Sequence, residues 1–276
     1  MKHLNLHKLL PLFLILLSAS CVDSFRPPCR ISTMLWEGQW HTASYSGSGR
    51  LTRLEAPTSK ILFQYNVSDQ LEKAEIYTTA VTPDSRFEFI HGPDGIIESN
   101  EYHPSAFGEI RIRLLFHYSG PYTVDYIIRQ EYTTSDPDPG FEIRYDISYS
   151  GGNVKFIEGT SSVITTEYTA TRYDKKKNPF RALAAAVGNP AFFPVCIMAN
   201  FPVGAYDISF MSLFSINNPL RAQYQIPGVD PYVQSFSYAY SGLIARKIRW
   251  SNSSYGTVDT NDYEFNFDCR AIPSED

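Results

Sequence analysis

Between Phe236 and Trp250 the chain reads Phe-Ser-Tyr-Ala-Tyr-Ser-Gly-Leu-Ile-Ala-Arg-Lys-Ile-Arg-Trp. Phe236, Tyr238 and Tyr240 alternate, a Ser-Gly turn follows, and Ile244, Ile248 and Trp250 return on the far side. Side chains on a strand change face at every residue, so this spacing commits the stretch to an antiparallel hairpin with one apolar face. Parity predicts a three-residue loop, Ser241 to Leu243. Tyr240 would then stand opposite Ile244 and Phe236 opposite Ile248, with Gly242 at positive φ.

The unit recurs. Tyr145, Ile147 and Tyr149 alternate, Ser150-Gly151-Gly152-Asn153 turns, and Val154 and Phe156 return. Phe63 and Tyr65, Phe87 and Phe89, Phe116 and Tyr118, Tyr168 to Tyr173, Phe214 to Ile216 and Tyr263 to Phe267 continue the series. Three pairs, Tyr65/Phe89, Tyr149/Tyr173 and Ile216/Tyr240, are each 24 positions apart, which points to a repeat architecture. One hairpin alone is marginal in water, so the copies must pair with one another. The expected fold is all-β: an antiparallel meander forming a long twisted sheet or half-barrel.

With 276 residues the chain is long enough for one large β domain or two small ones. Its 19 tyrosines and 18 phenylalanines favour strands. The net charge of −5 becomes −7 without residues 1–20, because Lys2 and Lys8 leave and no acid does. Such a balance offers no electrostatic footprint for nucleic acid or anionic lipid.

Met1 to Cys21 has the three parts of an export signal: Lys2 and Lys8, the apolar run Leu9 to Leu17, and Ser18-Ala19-Ser20 before Cys21. The apolar run is shorter than the roughly 20 residues a bilayer span needs. The expected organisation is a signal peptide over 1–20, a tether over 21–30 carrying Pro27-Pro28, one repeat-built β domain over 31–269, and a tail over 270–276. Cys21 after Leu-Ser-Ala-Ser resembles a bacterial lipoprotein signal, which would lipidate Cys21 and attach the protein to the membrane. Ordinary cleavage, with Cys21 in a disulfide, is the alternative. A lipidated Cys21 leaves Cys29, Cys196 and Cys269, of which two can pair in an exported compartment; sequence does not choose the two.

Lys175 to Gly188 breaks the strand pattern. Asn178 as N-cap, Pro179 in the first turn and Gly188 as the stop predict a short helix near 180–187. Phe192 to Phe214 is apolar but interrupted by Pro194, Pro202 and Asp207, and is expected to cap one end of the sheet.

Tyr173-Asp174-Lys175-Lys176-Lys177-Asn178-Pro179-Phe180, Asn217-Asn218-Pro219-Leu220, the Tyr-x-Tyr-x-Gly hairpin and the closing aromatic strand together resemble a group of Bacteroidota envelope lipoproteins of unknown function with degenerate Rhs/YD-like repeats. The likeness runs from about Arg50 to Cys269. The Gly-Arg-Leu that follows Tyr-Asp in full YD repeats occurs only as Gly49-Arg50-Leu51, with no Tyr-Asp before it. The resemblance implies an antiparallel meander on the cell envelope, outer-membrane-anchored, and no catalytic residue.

No nucleophile elbow, zincin helix, phosphate loop or dinucleotide fingerprint occurs, and no cofactor is expected. His41, His91, His103 and His117 are scattered singly and read as surface or turn residues. Asp136/Asp138 and Asp259/Asp262/Glu264 lack the spacing of a calcium loop and read as solvated carboxylates. Asn66 and Asn252 head sequons that read as turn residues in a bacterial cell. The leading expectation is a non-catalytic envelope protein binding a glycan, peptide or protein partner, marked by aromatics clustered outside the core. The alternatives are an assembly component pairing through a sheet edge and a hydrolase with converging acids.

Overall fold

The computed structural model describes residues 30–36, 38–78, 81–105, 108–120, 123–133, 138–188, 214–241, 244–254 and 257–268. The strands are β1 (Arg30–Trp36), β2 (Gln39–Tyr45), β3 (Leu51–Glu55), β4 (Lys60–Tyr65), β5 (Leu71–Tyr77), β6 (Ser85–Gly92), β7 (Gly95–Ser105), β8 (Gly108–Gly120), β9 (Thr123–Thr133), β10 (Phe141–Ser150), β11 (Asn153–Ser161), β12 (Thr165–Lys177), β13 (Asn217–Gln225), β14 (Tyr232–Ser241), β15 (Ile244–Ser254) and β16 (Thr257–Asp268). Each pairs antiparallel with its successor in sequence, and β16 closes on β1. The meander is as expected. The half-barrel is corrected to a closed barrel of sixteen described strands, whose outermost strands satisfy each other's backbone groups.

One register line fixes which face is inside. Phe63, Ala74, Phe87, Glu101, Ile112, Glu131 and Phe141 stand opposite one another in succession across β4 to β10. The adjacent line across the same strands is Gln64, Lys73, Glu88, Asn100, Arg113, Gln130 and Glu142. The first line faces the interior and is mostly apolar; the second faces out and is wholly polar. A circular barrel of sixteen strands would enclose water. Here Leu54, Val124, Ile127, Ile157 and Tyr168 are 0% exposed and belong to one buried cluster drawn from all round the wall. The interior is therefore filled at these positions.

Near the start of each odd-numbered strand two buried residues stand three positions apart, with none between them. The pairs are Ile31/Met34, Leu51/Leu54, Leu71/Ala74, Ile96/Ser99, Val124/Ile127, Val154/Ile157, Pro219/Ala222 and Ala245/Ile248. A strand alternates every two, so each opening contains one extra residue: a β-bulge. The ladder shifts register at each of these places. A bulge takes a backbone carbonyl out of the ladder, and at seven of these eight places an aromatic side chain from the following strand satisfies it. Tyr45 donates to the Ile31 carbonyl at 2.7 Å, Tyr65 to Leu51 at 2.6 Å, Tyr118 to Ile96 at 2.7 Å and Tyr149 to Val124 at 2.9 Å. Tyr173 donates to Val154, and Tyr238 to Pro219 at 2.7 Å; on β6 the position is held by His91, whose Nε2 lies 2.7 Å from the Leu71 carbonyl. Burial pushes the Tyr45 and Tyr173 hydroxyls up to about 12, so they remain donors.

The bulges correct two expectations. Phe236 stands opposite Trp250, Tyr238 opposite Ile248, Tyr240 opposite Ala245 and Ser241 opposite Ile244. A bulge, and not a three-residue loop, restores parity; Gly242 and Leu243 lie outside the described residues. Similarly Ile157, not Phe156, shares the inner face with Val154. Nor is the step constant: the tied positions 45, 65, 91, 118, 149 and 173 are separated by 20 to 31 residues.

The helix α1 (Pro179–Val187) agrees with the predicted span. Asn178 Oδ1 accepts from the Phe180 N–H at 3.1 Å, and Gly188 closes the helix at φ 68°. Phe180, Leu183 and Val187 join the core, with the Phe180 ring edge-on to Tyr263 and Phe265. The distinctive Tyr-Asp run also has a local role. Asp174 accepts from the Lys176 and Asn218 N–H groups and from the Tyr240 hydroxyl, tying β12 to β13 and β14. Residues 1–29, 189–213 and 269–276 lie outside the described residues, and with them Cys21, Cys29, Cys196, Cys269 and most of the expected capping segment.

Tyr118→Phe is expected to orphan a buried carbonyl and lower unfolding free energy by about 1–2 kcal/mol in a urea titration. A change within experimental scatter would show that the tie contributes nothing net.

Candidate functional site

The bulges and α1 occupy one end of the barrel. Near the other end, Ser85, Glu101, His103, Arg129 and Glu131 gather on β6, β7 and β9. Ser85 opens β6; Glu101 and His103 lie toward the end of β7; Arg129 and Glu131 lie toward the end of β9. All five take core-facing positions of the ladder.

Ser85 Oγ lies 2.9 Å from His103 Nδ1, and His103 Nε2 lies 2.6 Å from Glu101 Oε1, off the angle of a well-formed hydrogen bond. Arg129 Nη1 is ion-paired with Glu131 Oε1. The Glu101 and Arg129 side chains are 1% and 2% exposed; those of His103 and Glu131 are 23% and 28% exposed. The cluster thus grades from a dry interior to a wetter mouth. Ser99 Oγ and Arg129 Nε are buried without a hydrogen-bond partner in the structure.

Burial raises the pKa of Glu101, against the opposing pull of His103 and Arg129. Burial would lower His103, but contact with the Glu101 carboxylate outweighs it and the net shift is upward. The site is therefore a proton-binding pair beside an arginine–carboxylate pair. It brings a hydroxyl to an imidazole.

The histidines were expected at surfaces and turns; His91 does stand beside the turn between β6 and β7 and His117 is on the surface, whereas His41 and His103 take inner-face positions. His41 is buried on the inner face, its Nε2 2.8 Å from Ser59 Oγ, with its pKa lowered by burial. His91 ties a bulge and His103 belongs to the cluster. Only His117 is exposed, 2.7 Å from Asp125 and stacked on Tyr126. Glu264, considered for calcium, is paired with Lys247 at 2.5 Å. Asp136 lies outside the described residues, and among those described no group of three or more His, Cys, Asp or Glu side chains converges. Asn66 is a turn residue, its Oδ1 accepting from the Ser68 and Gln70 N–H groups.

The outer wall carries aromatics outside the core. Lys60 lies over Tyr77 at 4.5 Å, Arg86 over Tyr102 at 4.6 Å, Arg111 over Tyr132 at 4.0 Å and Arg144 over Tyr126 at 3.9 Å. The rings lie flat against β5 to β9, each with a cation on its face.

Sequence reading did not single out Ser85, Glu101, Arg129 or Glu131. Their signal was present as polar residues at alternate positions of apolar strands: Ser99-x-Glu101-x-His103 and Arg129-x-Glu131. It was hidden because the bulges after Ile96 and Val124 reverse the parity from which a face would be assigned.

No family model matches the chain, and no curated protein matches it in sequence. Solved structures do. A porin-like protein from Bacteroides vulgatus ATCC 8482 superposes with a TM-score of 0.57 at 14% identity, over 86% of this chain and 98% of that one. A porin-like protein from Bacteroides uniformis ATCC 8492 superposes with a TM-score of 0.51 at 12% identity, over 86% and 96%. The shared property is the fold. A transmembrane barrel turns an apolar band about 25 Å tall toward lipid and a polar face inward. The described wall of this protein is arranged the other way round, with its apolar residues inside.

Glu101→Gln tests the proton linkage. Both raised groups bind protons more tightly in the folded state, so their contribution is present at low pH and lost as pH rises. The wild type minus Glu101→Gln difference in unfolding free energy is expected to fall between about pH 5 and pH 8. Taking the difference cancels the opposite contribution of His41. A flat difference would show that Glu101 and His103 are not coupled.

Proposed function

We propose that the protein is an exported, lipid-anchored envelope protein whose barrel stands in water and binds a partner without catalysis. Cys21 carries the lipid. The observation that supports this reading is the outward register line from Gln64 to Glu142, polar at every position across seven strands. Burying such a line in hydrocarbon would cost several kcal/mol per charged group near the midplane, whereas water costs it nothing. The dry interior argues equally against a conducting pore.

A protein partner fits the outer wall better than a glycan. Tyrosine and arginine are the residue types that dominate protein interfaces. A sugar ring would need a bare aromatic face, and here Tyr102, Tyr126 and Tyr132 each have a guanidinium over the ring. Closure of the described sheet removes the free edge on which an assembly role would rely.

Membrane fractionation of Cys21→Ala decides between anchor and embedded wall. The wild type is expected with membranes and the variant in the soluble fraction without detergent. A variant that still needs detergent would mean that the wall itself meets lipid.

The contact of Ser85 with His103 favours a second reading, a hydrolase in which His103 takes the serine proton beside Glu101. A fluorophosphonate probe would label Ser85 in the native protein, and Ser85→Ala would abolish the adduct. No labelling of the native protein leaves the binding reading in place.

A further inference from the structure

The α1 end of the barrel carries an uneven charge. Lys155, Arg172, Lys175, Lys177, Arg221 and Arg246 are all exposed, and they lie between the middle of β11, β12, β13 and β15 and the α1 ends of those strands. Among the described residues none of the six has a carboxylate within ion-pair distance. Arg172 stands directly opposite Arg221 across the β12–β13 ladder. Like charges so placed destabilise a sheet. Strands β13, β14 and β15 contain no acidic residue. On β11 and β12 the acids are distant or engaged. Glu158 and Glu167 stand opposite each other toward the far end, and Asp174 accepts from the Lys176 and Asn218 N–H groups and from the Tyr240 hydroxyl. The net charge of −5 conceals this patch, because a total says nothing of how charge is distributed round a wall.

The direction of the chain supplies a second observation. β1 begins at Arg30 on the same end, with its bulge between Ile31 and Thr33. Cys21 is nine positions before Arg30, and nine residues reach at most about 30 Å. A lipid on Cys21 would therefore hold the α1 end, where the cations are, within that distance of the bilayer.

From the charge and the chain direction together we infer that the α1 end is a docking surface for anionic lipid headgroups. The inference rests on the lipid-anchored reading for its orientation and adds a fixed face: the β11–β15 side of the α1 end turns toward the membrane. A headgroup phosphate between Arg172 and Arg221 relieves their repulsion and accepts charge-assisted hydrogen bonds from both. The attraction is screened over about 8 Å at physiological ionic strength, so the patch orients the barrel and does not replace the lipid. The opposite mouth, with Ser85, Glu101, His103, Arg129 and Glu131, is then presented to the aqueous side.

The test is vesicle co-sedimentation of the purified Cys21→Ala protein, which carries no lipid of its own. The probes are phosphatidylcholine vesicles with and without about one-third phosphatidylglycerol. The expected result is sedimentation with the anionic vesicles alone at about 20 mM salt, lost at about 0.5 M. Arg172→Glu combined with Lys175→Glu and Arg221→Glu is expected to lower the bound fraction at least five-fold. Lys155→Gln combined with Lys177→Gln and Arg246→Gln gives a smaller drop, and Arg53→Glu combined with Lys73→Glu leaves binding unchanged. Thermal melts of each variant confirm that it is folded. Equal sedimentation with both vesicle types, or none with either, overturns the docking surface. Capture of duplex DNA at the same salt without vesicle binding overturns the membrane as its occupant. The intact mass of the wild-type protein reads the anchor separately. A lipid increment on Cys21 with no vesicle binding by the Cys21→Ala protein overturns this inference alone; vesicle binding with no increment upholds the patch and overturns the anchor.

Discussion

A tyrosine hydroxyl reaching a carbonyl that a bulge has removed from the ladder is the interaction on which this barrel depends. A flat antiparallel meander has two free edges and no reason to close. A bulge bends its strand and increases the local twist, and one near the start of every odd-numbered strand bends the wall repeatedly in the same sense. Left alone, each bulge would bury a carbonyl without a partner, at a cost of about 1–3 kcal/mol. Tyr45, Tyr65, Tyr118, Tyr149, Tyr173 and Tyr238 offset that cost, and His91 takes the same place on β6. The high tyrosine content thus has two uses: the rings fill the core and the hydroxyls stabilise the bends.

Closure alone does not say which side of the wall is wet. The inner line from Phe63 to Phe141 is mostly apolar, with Glu101 and Glu131 in it, and the outer line from Gln64 to Glu142 is polar throughout. The fold is shared with porin-like proteins, yet the described wall keeps most of its apolar residues on its inner face. Two barrels of one topology can present opposite faces to the solvent, since strand pairing constrains backbone groups and leaves side chains free. Against that dry interior, Glu101, His103, Arg129 and Glu131 stand out. Charged groups so placed cost free energy, and their grading toward one mouth is what makes them a site.

Much of this was legible in the residues. Asn178, Pro179 and Gly188 marked both ends of α1, because cap chemistry is local. Gly151-Gly152 marked a two-residue turn, and both glycines take positive φ, at 58° and 76°. Tyr-Ser-Gly occurs at Tyr45, Tyr118, Tyr149 and Tyr240, each beside a bulge, and was the clearest unread sign of the repeat. Phe156 and the partner of Phe236 were misplaced for one reason. A single extra residue reverses every face assignment beyond it, and nothing in the residue types at Lys155 or Arg246 announces it.

The sequence by itself determined the strand content, the antiparallel order, the helix and its caps, since each follows from neighbours a few positions apart. Only the tertiary structure decided closure, the dry interior and the meeting of Ser85, Glu101, His103 and Arg129. Those depend on register between strands, and the bulges that set the register become visible only when one strand is laid against the next.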